Sequence, residues 1–139
     1  MVAVLVIMAL LAGLVTPLLR SGGSAGGVDV WALRIAALLK ADRYAAIRTG
    51  APVVTILSAA NHTVASGGGH GVLHLPADMG FDAILADRCA GVDTRRGVVF
   101  FPSGMSCGGA IALARGGHNA EIRINWLTGG VDIVATAKS

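Results

Sequence analysis

The first 19 residues, MVAVLVIMALLAGLVTPLL, carry no charged side chain. As a helix such a run is about 28 Å long, close to the ~30 Å hydrocarbon core of a bilayer. Three readings compete: a membrane-spanning anchor, the h-region of a signal peptide, and a helix buried in a core. A domain this small has little with which to surround an apolar helix. A signal peptide has a basic n-region and a shorter apolar run. No Lys or Arg precedes this run, although Gly23 to Gly27 offers small residues for a cleavage site. The anchor is the reading adopted, with residues 1–19 as a transmembrane helix.

A Gly/Ser-rich stretch follows, and residues 20–28 are read as a joint or helix break. Beyond it the apolar period becomes helical. Trp31, Ile35, Leu38 and Leu39 recur at spacings of three and four, and Ala46 and Ile47 extend the stripe. Arg34, Lys40, Asp42, Arg43 and Arg48 mostly fall elsewhere. Asp29 is the expected N-cap, Gly50 the expected residue past the C-terminus, and Pro52 opposes continuation. The pattern predicts a helix over 29–48.

From 52 to 137 the pattern is that of strands. PVVTILSA, GVLHLP, FDAILADR, GVVFFP, GAIALAR, AEIRINW and GVDIVATA are short, rich in β-branched residues and punctuated by glycine or proline. In the sixth, Ile122, Ile124 and Trp126 are expected to face one way, and Glu121, Arg123 and Asn125 the other. LTGG at 127–130 predicts a tight turn into the last strand. Asn61 to Gly71 reads as a Gly/Ser loop. The expected class is α+β: a membrane helix, an amphipathic helix, then a small antiparallel sheet head over 29–139.

Composition sharpens this picture. The chain is 54% hydrophobic and 14% charged, an excess that the first segment accounts for. The net charge of +3 is scattered rather than clustered, and the aromatics are dispersed. That does not resemble a nucleic-acid platform, which interleaves grouped cations with stacking rings. Cys89 and Cys107 fit no zinc spacing; they form one disulfide in an oxidising compartment or remain two thiols.

Candidate chemistry is thin. Gly104-Met105-Ser106-Cys107-Gly108 spells G-x-S-x-G, the nucleophile elbow of α/β-hydrolases. An elbow needs a helix after its turn and an acid then a histidine downstream. Here glycines break the next segment, and His118 precedes Glu121 and Asp132. The stretch is read as the glycine-rich turn of a β-hairpin joining VVFF to AIAL. His70 and His74 have metal-binding spacing only on a helix; on a strand they share a face about 13 Å apart, and their neighbours are glycine, proline and β-formers. His62 and His118 are assigned to loops. No catalytic residue, metal or cofactor is expected.

Three stretches together resemble the GspH/FimT family of type IV pilin-like proteins. The apolar N-terminus, with Pro17 at a kink position, is similar to the pilin membrane helix. Arg43, Ala46, Ile47, Gly50 and Val53 fit an R-x-x-A-I-x-x-G-x-x-V segment. Phe100, Pro102, Gly104, Ile111, Leu113, Ile122, Ile124, Thr128, Gly129 and Val131 fit the family's C-terminal pattern, with Ile124 where the pattern has Val. The resemblance implies a minor pseudopilin, most similar to the H component of type II secretion. It would be anchored in the bacterial inner membrane with its head in the periplasm, although Arg20 alone would favour a cytoplasmic C-terminal part.

Its implied partners are other pseudopilins and inner-membrane secretion components. The implied apolar assembly stripe is Val4, Leu5, Met8, Leu11, Leu14 and Val15. Family members carry a basic leader and a G-F-T-L-x-E processing site, where cleavage and methylation occur. Aligning Pro17 places that site just upstream of Met1, so either a start codon further upstream in frame or a truncated chain is expected. A chain starting at Met1, without the glutamate, is expected to insert but assemble poorly. The glycine-rich joint departs from the family's single long helix. Two other readings are open. One is a type IV minor pilin that takes up DNA through converging arginines such as Arg115 and Arg123. The other is a secreted hydrolase using Ser106.

Overall fold

A computed structural model describes residues 27–89, 92–94 and 96–136. The expected anchor, with Val4, Leu5, Met8, Leu11, Leu14, Val15 and Pro17, lies outside the described residues, as does most of the joint. No helix among the described residues is long and apolar enough to cross a membrane.

Helix α1 spans Val28–Thr49. Its length of 22 residues corresponds to about 33 Å. Val28, Ala32, Ile35, Leu39 and Ala46 fall on one stripe and are buried. The N-cap is Gly27 and not the expected Asp29, which sits inside the first turn and makes no cap hydrogen bond. There its charge still complements the positive end of the helix dipole. At the other end Gly50 adopts φ 71°, and its N–H donates to the Ala46 carbonyl at 3.0 Å.

Among the described residues ten strands follow: β1 Val53–Ser58, β2 Thr63–Ala65, β3 Val72–His74, β4 Gly80–Ile84, β5 Arg88–Cys89, β6 Val92–Asp93, β7 Gly97–Phe100, β8 Gly109–Arg115, β9 His118–Ile124 and β10 Val131–Thr136. They form one sheet in the order β3-β2-β1-β7, a second in the order β10-β9-β8-β4, and the small hairpin β5-β6. Every pairing is antiparallel. The head is thus α+β, with one helix laid against two sheets. α1 packs on β8, β9 and β10 of the second sheet and on β1 and β7 of the first. Ile35 and Leu39 of the helix join Val64, Val98, Phe100, Ile111, Leu113 and Ile122 in one core. Each large apolar side chain so buried contributes about 1.5–3 kcal/mol.

Four expectations are corrected here. VVFF and AIAL do not form a hairpin: β7 pairs with β1, whereas both edges of β8 are taken by β4 and β9. A strand has only two edges, so residues 101–108 must cross from one sheet to the other. Trp126 does not continue the inward row of Ile122 and Ile124. The ladder ends at Ile124 paired with Val131, and Trp126 is 62% exposed. The chain turns at Asn125, whose Oδ1 accepts the N–H groups of Leu127 (2.8 Å) and Thr128 (3.2 Å), an Asx-type turn. Ile47 is exposed rather than part of the buried stripe. His118 opens β9 instead of lying in a loop.

The crossover also explains why β7 can be an edge strand with all four residues buried. Its carbonyl at Val99 accepts from Ser106 Oγ (2.7 Å) and from the Cys107 N–H (3.2 Å). Phe100 forms an isolated bridge with Ser106. The returning chain covers the edge that would otherwise present unpaired groups.

Candidate functional site

Three segments distant in sequence meet at the C-terminal end of α1: the helix at Arg43, the crossover at Gly104 and the β9–β10 turn at Gly129. Arg43 is half-buried, and its Nε donates to the Gly104 carbonyl at 3.0 Å. Gly129 packs so closely beneath that a Cβ there would lie 1.9 Å from the Gly104 oxygen and 2.8 Å from Arg43 Nε. Its φ of 70° adds a second demand for glycine. The position expected for a Gly104 Cβ is 3.4 Å from Ile47 Cδ1. Arg43, Ile47, Gly104 and Gly129, each singled out by pattern alone, are therefore one physical joint. Beside it an open depression is lined by Lys40, Arg43, Tyr44, Gly130 and Asp132, among others.

One residue away on the helix, Asp42 makes a second joint, with the first sheet. It is fully buried. Its Oδ2 accepts from Thr55 Oγ1 (2.6 Å) and the Gly67 N–H (3.2 Å). Its Oδ1 accepts from Ser66 Oγ (2.5 Å) and the Gly68 N–H (3.2 Å). Ser66 Oγ in turn accepts from the N–H groups of Gly68 and His70. A buried carboxylate is tolerable when surrounded by donors in this way. The hydrophobic pattern missed it because Asp42 was counted with the polar residues. Its spacing from Leu38, Leu39, Ala45 and Ala46 places it on the inward face.

Cys89 and Cys107 are joined, with Cα atoms 5.7 Å apart. The bond ties the β5–β6 hairpin to the crossover. Thr94 Oγ1 closes that excursion locally on the Ala86 carbonyl.

Ser106 occupies the middle of the G-x-S-x-G string and is 4% exposed. Its hydroxyl donates to Val99 O and accepts the Gly108 N–H at 3.1 Å. Strand β8, not a helix, follows it. The hydroxyl thus carries the crossover's main chain, and none of its hydrogen bonds involves a histidine or an acid.

The histidines are dispersed: His62 and His70 lie in loops, His74 ends β3 and His118 opens β9. No group of three metal-capable side chains exists among the described residues. Arg115 and Arg123 do not converge either. Arg115 shares the strand parity of the buried Ile111 and Leu113, whereas Arg123 lies between the buried Ile122 and Ile124 on the opposite face. Each binds a carboxylate: Arg115 to Asp78 and Arg123 to Glu121, both at 3.1 Å. Glu121 holds the Arg123 guanidinium above its ordinary pKa, through the hydrogen bond first and its charge second.

No protein-family model and no curated protein matches the chain by sequence. Solved structures do match the fold. The minor pseudopilin EpsH of the type 2 secretion system of Vibrio cholerae superposes with a TM-score of 0.61 at 11% identity, covering 78% of this chain and 96% of that one. A second structure of EpsH gives 0.60 at 11% identity, over 81% and 96%. The type IV minor pilin FimU of Pseudomonas aeruginosa gives 0.58 at 12% identity, over 77% and 87%. The head therefore has the fold shared by EpsH and FimU.

Proposed function

We propose that the chain is a minor pseudopilin of a type II secretion system. In this reading Met1–Leu19 anchors it in the inner membrane, the head stands in the periplasm, and it assembles with other pseudopilins into the short filament that drives export. Its work is assembly and not catalysis. The observation that carries the reading is the fold of the head, which matches EpsH over 96% of that structure. The Cys89–Cys107 bond supports it, because such bonds persist in oxidising compartments.

The test is deletion of the gene in its own bacterium. Exported proteins should accumulate inside the cell while surface pili persist, and the gene carried on a plasmid should restore export. Normal export with lost pili would replace this reading by a second one, a type IV minor pilin. The nearly equal match to FimU favours keeping that second reading in view. Within it, DNA uptake gains no support, since Arg115 and Arg123 sit on opposite faces and are each already paired. A secreted hydrolase using Ser106 is tested by Ser106→Ala. The expected outcome is a loss of about 1–2 kcal/mol in stability, with no change in labelling by a serine-directed probe.

A further inference from the structure

The side of α1 turned away from both sheets has an unusual make-up. Leu33, Ala37, Lys40 and Tyr44 follow one another up its centre at spacings of three and four, and all are exposed. Leu33 is 62% and Tyr44 63% exposed. Arg34 and Arg48 flank this line and are also exposed, so that Arg34, Lys40 and Arg48 span about 21 Å along the axis. None of the three forms an ion pair among the described residues. Arg34 lies 4.9 Å over the Trp31 ring and Arg48 5.7 Å over Tyr44. The acids nearby are few: Asp29 in the first turn and Asp132 across the depression, while Asp42 is turned inward and satisfied.

We propose that this face rests on an anionic phospholipid bilayer before the subunit is assembled. Long cations interleaved with Leu33, Ala37 and the Tyr44 ring, their stems able to lie along the apolar groups, suit a helix lying at a membrane interface. The inference rests on the reading of Met1–Leu19 as a membrane anchor. The uncharged segment ends just ahead of Ser21 to Gly27, which lead directly into the first turn of α1. Seven residues span at most about 25 Å in any conformation. That bound holds the helix near the surface, at a high effective concentration of lipid. Nucleic acid suits the face less well. Phosphates would meet the Leu33 and Ala37 stripe, and both rings already carry a guanidinium.

The test places the full chain in lipid nanodiscs of phosphatidylcholine alone or mixed with phosphatidylglycerol. A nitroxide on Ala37→Cys reports collisions with oxygen, which enters lipid, and with a nickel chelate, which does not. A nitroxide on Ser103→Cys, exposed on the crossover, is the control. With phosphatidylglycerol the Ala37 label should gain oxygen and lose nickel collisions, and the Ser103 label should not change. Each cation near an anionic surface is worth about fivefold in partition, so Arg34→Gln, Lys40→Gln and Arg48→Gln together should reduce the surface-bound population roughly 100-fold. Circular dichroism checks that the variant keeps its helix.

An Ala37 label equally wet in both lipids, in a chain that is inserted in the disc, overturns this inference alone and leaves an acidic neighbouring subunit as the occupant. A chain that does not enter the discs overturns the anchor reading and this inference with it.

Discussion

Asp42 and Arg43 are neighbours on one helix, yet they secure different halves of the head by different physics. Asp42 faces the first sheet, fully buried, with four donors converging on its two oxygens. Arg43 faces the crossover and the β9–β10 turn, half-buried, with one hydrogen bond to Gly104 and close packing against Gly129. The first joint is electrostatic and closed to water. The second is mainly steric, and its tightness comes from glycines that bring backbone to backbone. A buried polar group is costly to remove because its partners are stranded. A half-exposed one leaves partners that water can reach.

That contrast sets an order of effects. Asp42→Ala strands two hydroxyls and two N–H groups and should cost about 3–4 kcal/mol. Urea unfolding measures it, and hydrogen exchange should quicken over residues 66–71 while 101–108 stay protected. Next, Cys89→Ser with Cys107→Ser opens a link between positions 18 apart in sequence. Loop-closure entropy puts the loss at about 3 kcal/mol, and faster exchange should appear in the β5–β6 hairpin and the crossover rather than around Asp42. Arg43→Ala should cost about 1–2 kcal/mol, with loosening confined to 101–108 and 125–130. If it proves as costly as Asp42→Ala, the distinction between the two joints fails. Smallest of all, Arg123→Ala should leave the urea midpoint unchanged, since its pair with Glu121 is in solvent.

The elements with a clean period were legible in the sequence. The helix was, because Ile35, Leu38, Leu39 and Ala46 recur at helical spacing and are buried, and so were β8 and β9, whose buried and exposed residues alternate. The three-residue β2 was not, since Val64 is its one buried side chain and three residues define no period. The β5–β6 hairpin was hidden for the same reason, and the Cys89–Cys107 bond ties it to the crossover. The crossover was misread because adjacency in sequence suggested pairing, while pairing depends on which strand edges are free. At the joints, Arg43, Gly104 and Gly129 were visible only as pattern members. Their meaning lies in a 1.9 Å exclusion that no single segment contains. Asp42 was missed because its type outweighed its position, although spacing from Leu38 and Ala46 already placed it on the inner face.

The turn between β8 and β9 has the opposite character to the joint at Gly129. Arg115 pairs with His118 across just two residues, Gly116 and Gly117, at φ 58° and 83°, the backbone of a two-residue primed hairpin turn. Nothing lies within 4 Å of the Cβ position at either. A peptide epitope spliced between them would meet open solvent and leave the ladders on both sides in register. It offers a place for a fluorescent reporter with which to follow the subunit in a living cell.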